Sequence, residues 1–139
     1  MKSAVLYRIA CVLLVLFAAG NTYGVLKSRM ATGMNTLHFP GGHAEFTYAQ
    51  VVLGFGLFCS LYFLFAAYLA SYLGGLARTN PLAIGKLSWV FFAVQLASFV
   101  MSKIYLAGGP FLLSGLIAIC TGWAAWTLKR APATLSVAQ

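Results

Sequence analysis

The sequence predicts an all-α protein, a polytopic four-transmembrane-helix up-down bundle that forms a single domain over residues 1–139. Of the 139 residues, 62% are hydrophobic and only 7% are charged, whereas a typical soluble domain carries about 25% charged residues. The apolar runs between the charges are long enough to cross a bilayer, which takes about 20 helical residues. Glycine and proline divide these runs into four segments.

The net charge of +8 reflects nine Lys and Arg residues against one Glu. The basic residues stand singly or in pairs at the ends of apolar runs, which is typical of membrane flanks that meet anionic headgroups. A nucleic-acid surface would need a dense basic face on a soluble body, so we expect no nucleic-acid partner. The three cysteines lie inside apolar runs without a CxxC pair, which favours small buried residues over redox chemistry.

The first helix is predicted from about residue 4 to residue 26. Its start resembles a secretory signal peptide, because Lys2 and Arg8 accompany an apolar core. The apolar run continues to Leu26, which is too long for the apolar core of a signal peptide. We therefore expect an uncleaved spanning helix.

The other helices are predicted at about 46–73, 81–107 and 111–128. A Pro-Gly-Gly run at 40–42 breaks the chain before the second helix. Asn80 followed by Pro81 is typical of a helix N-cap with proline at the first helical position. The Gly-Gly-Pro turn at 108–110 ends the third helix and opens the fourth.

The distribution of Lys and Arg predicts the orientation in the membrane. Six lie on the side of the termini and three on the other side: Lys2, Arg8, Arg78, Lys86, Lys129 and Arg130 against Lys27, Arg29 and Lys103. Both termini should therefore be cytoplasmic in a bacterial inner membrane, with the 27–45 loop outside.

The third helix carries a polar stripe. Gln95, Ser98, Ser102 and Tyr105 stand at i, i+3, i+7 and i+10, with Ser88 seven residues before Gln95, and this spacing places them on one face of a helix. Hydrocarbon cannot satisfy their hydrogen bonds, so the stripe should face protein.

Polar and tyrosine side chains on all four helices fall at a similar depth near the outer face, a set that we call the outward slab. Its members are Asn21, Gln50, Ser102 and Ser114, with Tyr23, Tyr48 and Tyr105 close to them, and Gln95 and Ser98 of the stripe complete the candidate pocket. They either hold the helices together through interhelical hydrogen bonds or line a small polar-headed pocket. Small residues at i, i+4, such as Gly56 and Ser60, indicate close helix packing inside the bundle, or alternatively a homo-oligomer.

An ionic outer rim is predicted from Glu45, Lys103, His38 and His43. Glu45 falls in the first turn of the second helix, where a carboxylate suits the helix dipole, and we expect it to pair with Lys103. The spacing His38-x4-His43-x-Glu45 is not a helical i, i+4 pair, so we expect no metal. No cofactor is expected either.

Three pieces of sequence carry a resemblance: FAAGNTYG at Phe17–Gly24, GFGLF at Gly54–Phe58, and the GGLAR turn at Gly74–Arg78. With them the chain resembles small four-helix proteins of bacterial inner membranes. The resemblance implies a fold and a compartment, and no activity. The membrane-embedded acid of small multidrug transporters is missing from the first helix, and so is the CxxC of the vitamin K epoxide reductase fold.

The leading functional hypothesis is a non-enzymatic membrane protein that binds a small amphiphile, a lipid or a partner membrane protein through the outward slab. The alternative is a membrane-embedded enzyme acting on a lipophilic substrate. Glu45, His38 or His43 would then be the acid–base, and Tyr48 or Tyr105 a donor. A small transporter is disfavoured, because no ionisable group is expected at mid-membrane.

Overall fold

The computed structural model describes residues 2–28, 35–36, 38, 46–105 and 108–129, without the side chains of Leu82 and Tyr105. Within these residues there are four α-helices: α1 (Lys2–Ser28), α2 (Tyr48–Thr79), α3 (Pro81–Tyr105) and α4 (Gly109–Lys129). His38 and Thr47 form an isolated antiparallel bridge, and this part of the chain contains no strand. The prediction of an all-α chain with four helices is confirmed for these residues.

Two helices begin with side-chain caps. The Thr47 N–H donates to Gln50 Oε1 at 2.9 Å, and the Gln50 N–H donates to Thr47 Oγ1 at 3.3 Å. This reciprocal pair is a capping box, which satisfies backbone donors that the first turn of α2 leaves free. Asn80 caps α3 in the predicted way, since its Oδ1 accepts from the Ala83 N–H at 3.3 Å.

The end of α2 differs from the prediction. The sequence predicts that the second helix ends at about residue 73, just before a Gly-Gly pair, but α2 continues through Gly74 and Gly75 to Thr79. A Cβ on Gly74 would lie 3.3 Å from Tyr7 Cβ. The glycine therefore serves close approach between α1 and α2, and only Asn80 separates α2 from α3.

Two glycines in the left-handed region shape the hairpin of α3 and α4. Gly85, with φ 42° and ψ −124°, separates the first turn of α3 from the rest of that helix. Gly108, with φ 85°, precedes α4. Both conformations are costly for residues with a Cβ.

The chain divides into two compact units. Unit 1 comprises residues 1–13 and 67–139, and unit 2 comprises residues 14–66. In unit 1 the start of α1, the end of α2 and the α3–α4 hairpin are in contact. In unit 2 the end of α1 and the start of α2 run antiparallel, because Asn21 contacts Ser60 while Val25 faces Gly56.

All four helices are long and apolar enough to cross a membrane, with the apolar part of α3 at Ala83–Ile104. Large apolar side chains cover their outer faces. Phe55 and Phe58 of α2, for example, are each 71% exposed. Soluble monomers rarely expose large contiguous apolar patches.

Candidate functional site

The candidate site is an open apolar cleft between α3 and α4 of unit 1, called here the α3–α4 cleft. Its volume is about 330 Å³. Its lining contains no polar side chain: Phe92, Leu96 and Phe99 from α3, with Gly115, Ala118, Ile119 and Gly122 from α4. A cleft of this kind suits an apolar guest.

Two phenylalanines of α3 lie over two glycines of α4. A Cβ on Gly122 would lie 2.7 Å from Phe92 Cε2, and a Cβ on Gly115 would lie 3.1 Å from Phe99 Cε2. Both pairs are seven residues apart, and the order of contacts shows that α3 and α4 run antiparallel. Each ring occupies space that only glycine leaves open, so the glycines form the floor of the cleft and the rings its wall.

Neighbouring aromatic rings fix these two phenylalanines. Phe99 stacks on Phe111 with ring centroids 5.1 Å apart and planes at 24°. Phe92 meets Trp89 edge to face at 6.0 Å. Both distances fall within the usual range for favourable aromatic pairs. The rings are therefore supported from outside the cleft as well as by the glycines beneath them.

Gln95 is the anomalous polar residue of this region. It is only 4% exposed, and its Nε2 has no hydrogen-bond partner among the described residues. It lies on α3 between Phe92 and Phe99 and directly precedes the lining residue Leu96. Most buried polar groups in native structures are paired, so this amide requires an explanation.

Two pairs of polar side chains in unit 1 hold helices together. The Tyr7 hydroxyl of α1 is 2.7 Å from the Ser88 hydroxyl of α3. The Ser3 hydroxyl of α1 is 3.0 Å from the Thr127 hydroxyl of α4. These contacts tie the start of α1 to both helices of the hairpin.

Unit 2 contains a second polar cluster, formed by Asn21, Thr22 and Ser60. Asn21 Nδ2 donates to Gly56 O at 2.7 Å and to Ser60 Oγ at 2.9 Å. The Thr22 and Ser60 hydroxyls are 2.8 Å apart. These three contacts run between α1 and α2, so the cluster is an interhelical clamp.

The residues of the candidate pocket fall in both units, and the outward slab as one pocket stays a prediction. In unit 2, Asn21 belongs to the clamp, Gln50 belongs to the capping box, and Tyr23 and Tyr48 are exposed. In unit 1, Gln95, Ser102 and Ser114 are buried and Ser98 is half-buried. The Ser98 and Ser114 hydroxyls donate to carbonyls of their own helices at 3.0 Å. The side chain of Tyr105 lies outside the described residues.

The predicted ionic rim is described only in part. Glu45 and His43 lie outside the described residues, and Lys103 and His38 are exposed. The Glu45–Lys103 pair and the acid–base roles therefore stay predictions. The described residues contain no group of three or more potential metal ligands.

The residues that sequence reasoning missed are the ring-and-glycine pairs of the α3–α4 cleft. A signal for them was present in the sequence. Phe92 and Phe99 are seven residues apart on one helix, and Gly115 and Gly122 are seven apart on the next. An antiparallel hairpin brings two such repeats into register.

Comparisons with models of protein families, with curated proteins and with solved structures found no match for this chain.

Proposed function

We propose that this chain is a non-enzymatic, multi-pass membrane protein, an up-down four-helix bundle that binds a lipophilic molecule in the α3–α4 cleft. The observation that carries the proposal is the cleft itself, with about 330 Å³ of space and an apolar lining. Ligand pockets are usually lined mainly by hydrophobic and aromatic side chains and span roughly 300–1,000 Å³. The guest is thus a small one, of the size of a single hydrocarbon chain or a compact ring system.

The construction of the cleft supports a preformed site. Phe92 and Phe99 are held from outside by Trp89 and Phe111 and from beneath by glycine. Aromatic rings in such contacts have few alternative positions, so the cleft has little means of closing on itself. Binding then needs little reorganisation, and that lowers its cost.

The proposal also includes an orientation. The six-to-three distribution of Lys and Arg favours cytoplasmic termini. In a variant whose three native cysteines are replaced by alanine, we expect a membrane-impermeant thiol reagent to modify Gly41→Cys but not Ala138→Cys in intact cells. The reverse labelling pattern would show the orientation to be wrong.

Binding can be tested with a photoactivatable lipid. The purified protein would be placed in phosphatidylcholine nanodiscs that contain a fatty alcohol with a diazirine at mid-chain. After irradiation, the adducts would be mapped by peptide mass spectrometry. We expect adducts concentrated on Leu96 and Ile119, since both line the cleft and both are exposed.

The variant Ile119→Trp should reduce these adducts, because the larger indole ring covers the cleft. Residue 119 is exposed, so the substitution does not disturb the packed core. The matched control is Leu112→Trp, on the same helix and outside the cleft. Leu112 is 66% exposed and Ile119 is 64% exposed. If adducts spread evenly over the exposed apolar surface, Phe55 and Phe58 included, and neither variant changes them, the cleft is not a binding site.

A further inference from the structure

Contacts between the helices bring all four of them together at one end of unit 1. The Tyr7 hydroxyl of α1 is 2.7 Å from the Ser88 hydroxyl of α3, and the Ser3 hydroxyl of α1 is 3.0 Å from the Thr127 hydroxyl of α4. A Cβ on Gly74 of α2 would lie 3.3 Å from Tyr7 Cβ. The start of α1, the end of α2, the start of α3 and the end of α4 therefore meet at this end.

Basic residues stand close in sequence to all of these contacts. Each lies between one and four residues from a contact residue on its own helix, so none is more than about one helical turn away. All five are exposed. We call this set the basic end: Lys2 and Arg8 of α1, Arg78 of α2, Lys86 of α3 and Lys129 of α4.

Unit 1 supplies no acidic side chain to balance the basic end. The chain contains a single acidic residue, Glu45, and this residue belongs to the 14–66 range of unit 2. One carboxylate cannot neutralise five cations. Most of this charge is therefore left to counter-anions from the surroundings of the protein.

Arg8 is the member for which a counter-anion matters most. It lies six residues after the start of the candidate span Lys2–Ser28, which is about 9 Å along the helix axis. Its guanidinium stays charged, and a charge within the apolar layer is costly unless the long side chain reaches the interface and a partner there.

The stem of Arg8 lies against α2. A Cβ on Gly74 would lie 3.9 Å from Arg8 Cγ, so the missing side chain of this glycine leaves room beside the arginine. Arg78 follows Gly74 by one helical turn and is therefore on the same face of α2. Two arginines thus flank the seam between the start of α1 and the end of α2.

From this arrangement we propose that the basic end binds the phosphate group of anionic phospholipids, with Arg8 and Arg78 at its centre. The planar fork of arginine matches phosphate oxygens and donates two parallel hydrogen bonds to them. Basic pockets between membrane helices are known to bind anionic headgroups. A zwitterionic headgroup suits the site less well, because the same cations repel its ammonium group. The basic end is separate from the α3–α4 cleft, so a failure of binding in the cleft leaves this proposal intact.

The tryptophans of the chain provide a probe of this end. All three are exposed and lie close to the contacts described above: Trp89 directly follows Ser88, Trp126 directly precedes Thr127, and Trp123 is one turn before Thr127. Bromine on a lipid chain quenches tryptophan fluorescence only at short range. Quenching therefore reports which lipids lie next to the basic end.

The test uses the full chain in vesicles that mix phosphatidylcholine and phosphatidylglycerol, with bromine near the headgroup end of the acyl chains of one lipid at a time. For the native protein we expect a relative association constant that favours phosphatidylglycerol by roughly tenfold. Arg8→Gln and Arg78→Gln should each lower this preference about fivefold, which corresponds to about 1 kcal/mol for one basic residue near a membrane surface. Quenching in pure brominated phosphatidylcholine should be the same for all variants, and this checks that each one is folded.

Lys103→Gln is the matched control. It removes one exposed positive charge from α3, but it lies 15 residues after Ser88, about 22 Å along the helix. It should leave the preference for phosphatidylglycerol unchanged. A loss as large as in the two arginine variants would show that the preference follows net charge and not the basic end, and this would refute the proposal.

Two further outcomes would also overturn the proposal. Equal association of the two lipids with the native protein would show that the basic end does not select anionic headgroups. Inorganic phosphate at millimolar concentration, compared with chloride at the same ionic strength, should leave the preference unchanged. If phosphate abolishes it and chloride does not, the basic end is a site for a soluble anion and not for a lipid.

Discussion

Replacing Gly122 by alanine tests the ring-over-glycine geometry of the cleft. A Cβ at this position would lie 2.7 Å, 3.0 Å and 3.2 Å from Cε2, Cδ2 and Cζ of Phe92, so the ring must move. Overpacking of this kind costs roughly 1–3 kcal/mol. Alanine recovers roughly 1 kcal/mol of this cost through its higher helix propensity. Subtracting that gain from the middle of the overpacking range, we expect the free energy of unfolding to fall by about 1 kcal/mol.

The measurement is equilibrium unfolding in mixed micelles, followed by tryptophan fluorescence. Gly75→Ala is the matched control, because Gly75 is also helical and a Cβ there meets nothing within 4 Å. It should leave the stability unchanged or raise it by up to about 1 kcal/mol. The change in the free energy of unfolding for Gly115→Ala should fall between those for Gly122→Ala and Gly75→Ala, since its Cβ would lie 3.1 Å from the Phe99 ring.

A double-mutant cycle tests whether the cost of Gly122→Ala arises from contact with Phe92. Phe92→Leu shortens the side chain, so Gly122→Ala should cost less in that background, with a coupling of roughly 0.5–3 kcal/mol as is usual for residues in contact. If Gly122→Ala stabilises the protein as Gly75→Ala does, or if the two changes simply add, Phe92 does not lie over Gly122 and the wall of the cleft is wrongly assigned.

The interhelical hydrogen bonds give two further predictions, each measured by the same unfolding assay. In a double-mutant cycle, Asn21→Ala and Ser60→Ala should show a coupling energy of about 0.6 kcal/mol and at most about 1.7 kcal/mol, the range for interhelical hydrogen bonds in membranes. Strict additivity of the two changes would mean that the clamp of unit 2 does not form. Tyr7→Phe should destabilise by a similar amount because it leaves the buried Ser88 hydroxyl without its partner, and Ser88→Ala added to it should recover part of the loss. No recovery would show that the bond between Tyr7 and Ser88 contributes little.

Helix content and most helix ends were accessible from the sequence because local signals determine them. The Asn80–Pro81 cap lies where the sequence predicts it. The Gly-Gly pair at the end of α2 was misinterpreted, because glycine favours both helix ends and close helix contacts. Only the packing of Gly74 against Tyr7 shows that this glycine serves a close helix contact and not a helix end, and that contact joins residues far apart in the chain.

Polarity in the sequence was a poor guide to the site, for a physical reason. In apolar surroundings a buried polar side chain is costly without a hydrogen-bond partner, and most of those described find one close by. Gln50 caps its own helix, and Ser98 and Ser114 bond to carbonyls one turn back. Polar residues at matched depth therefore indicate satisfied packing more often than a pocket.

The α3–α4 cleft is marked by a different pattern, in which large rings on one helix lie over glycines on the next. Phe92 and Phe99 require Gly122 and Gly115, and the same arrangement leaves a cleft with no polar lining. Such a cleft would accept many apolar chains and would discriminate poorly among them, because hydrophobic contact is non-directional. Discrimination needs a directional group, and the side chains that line the cleft supply none. The cleft would thus determine how much of a lipophilic guest is bound rather than which guest is preferred, and this is why variants of Ile119 should change the amount that is bound.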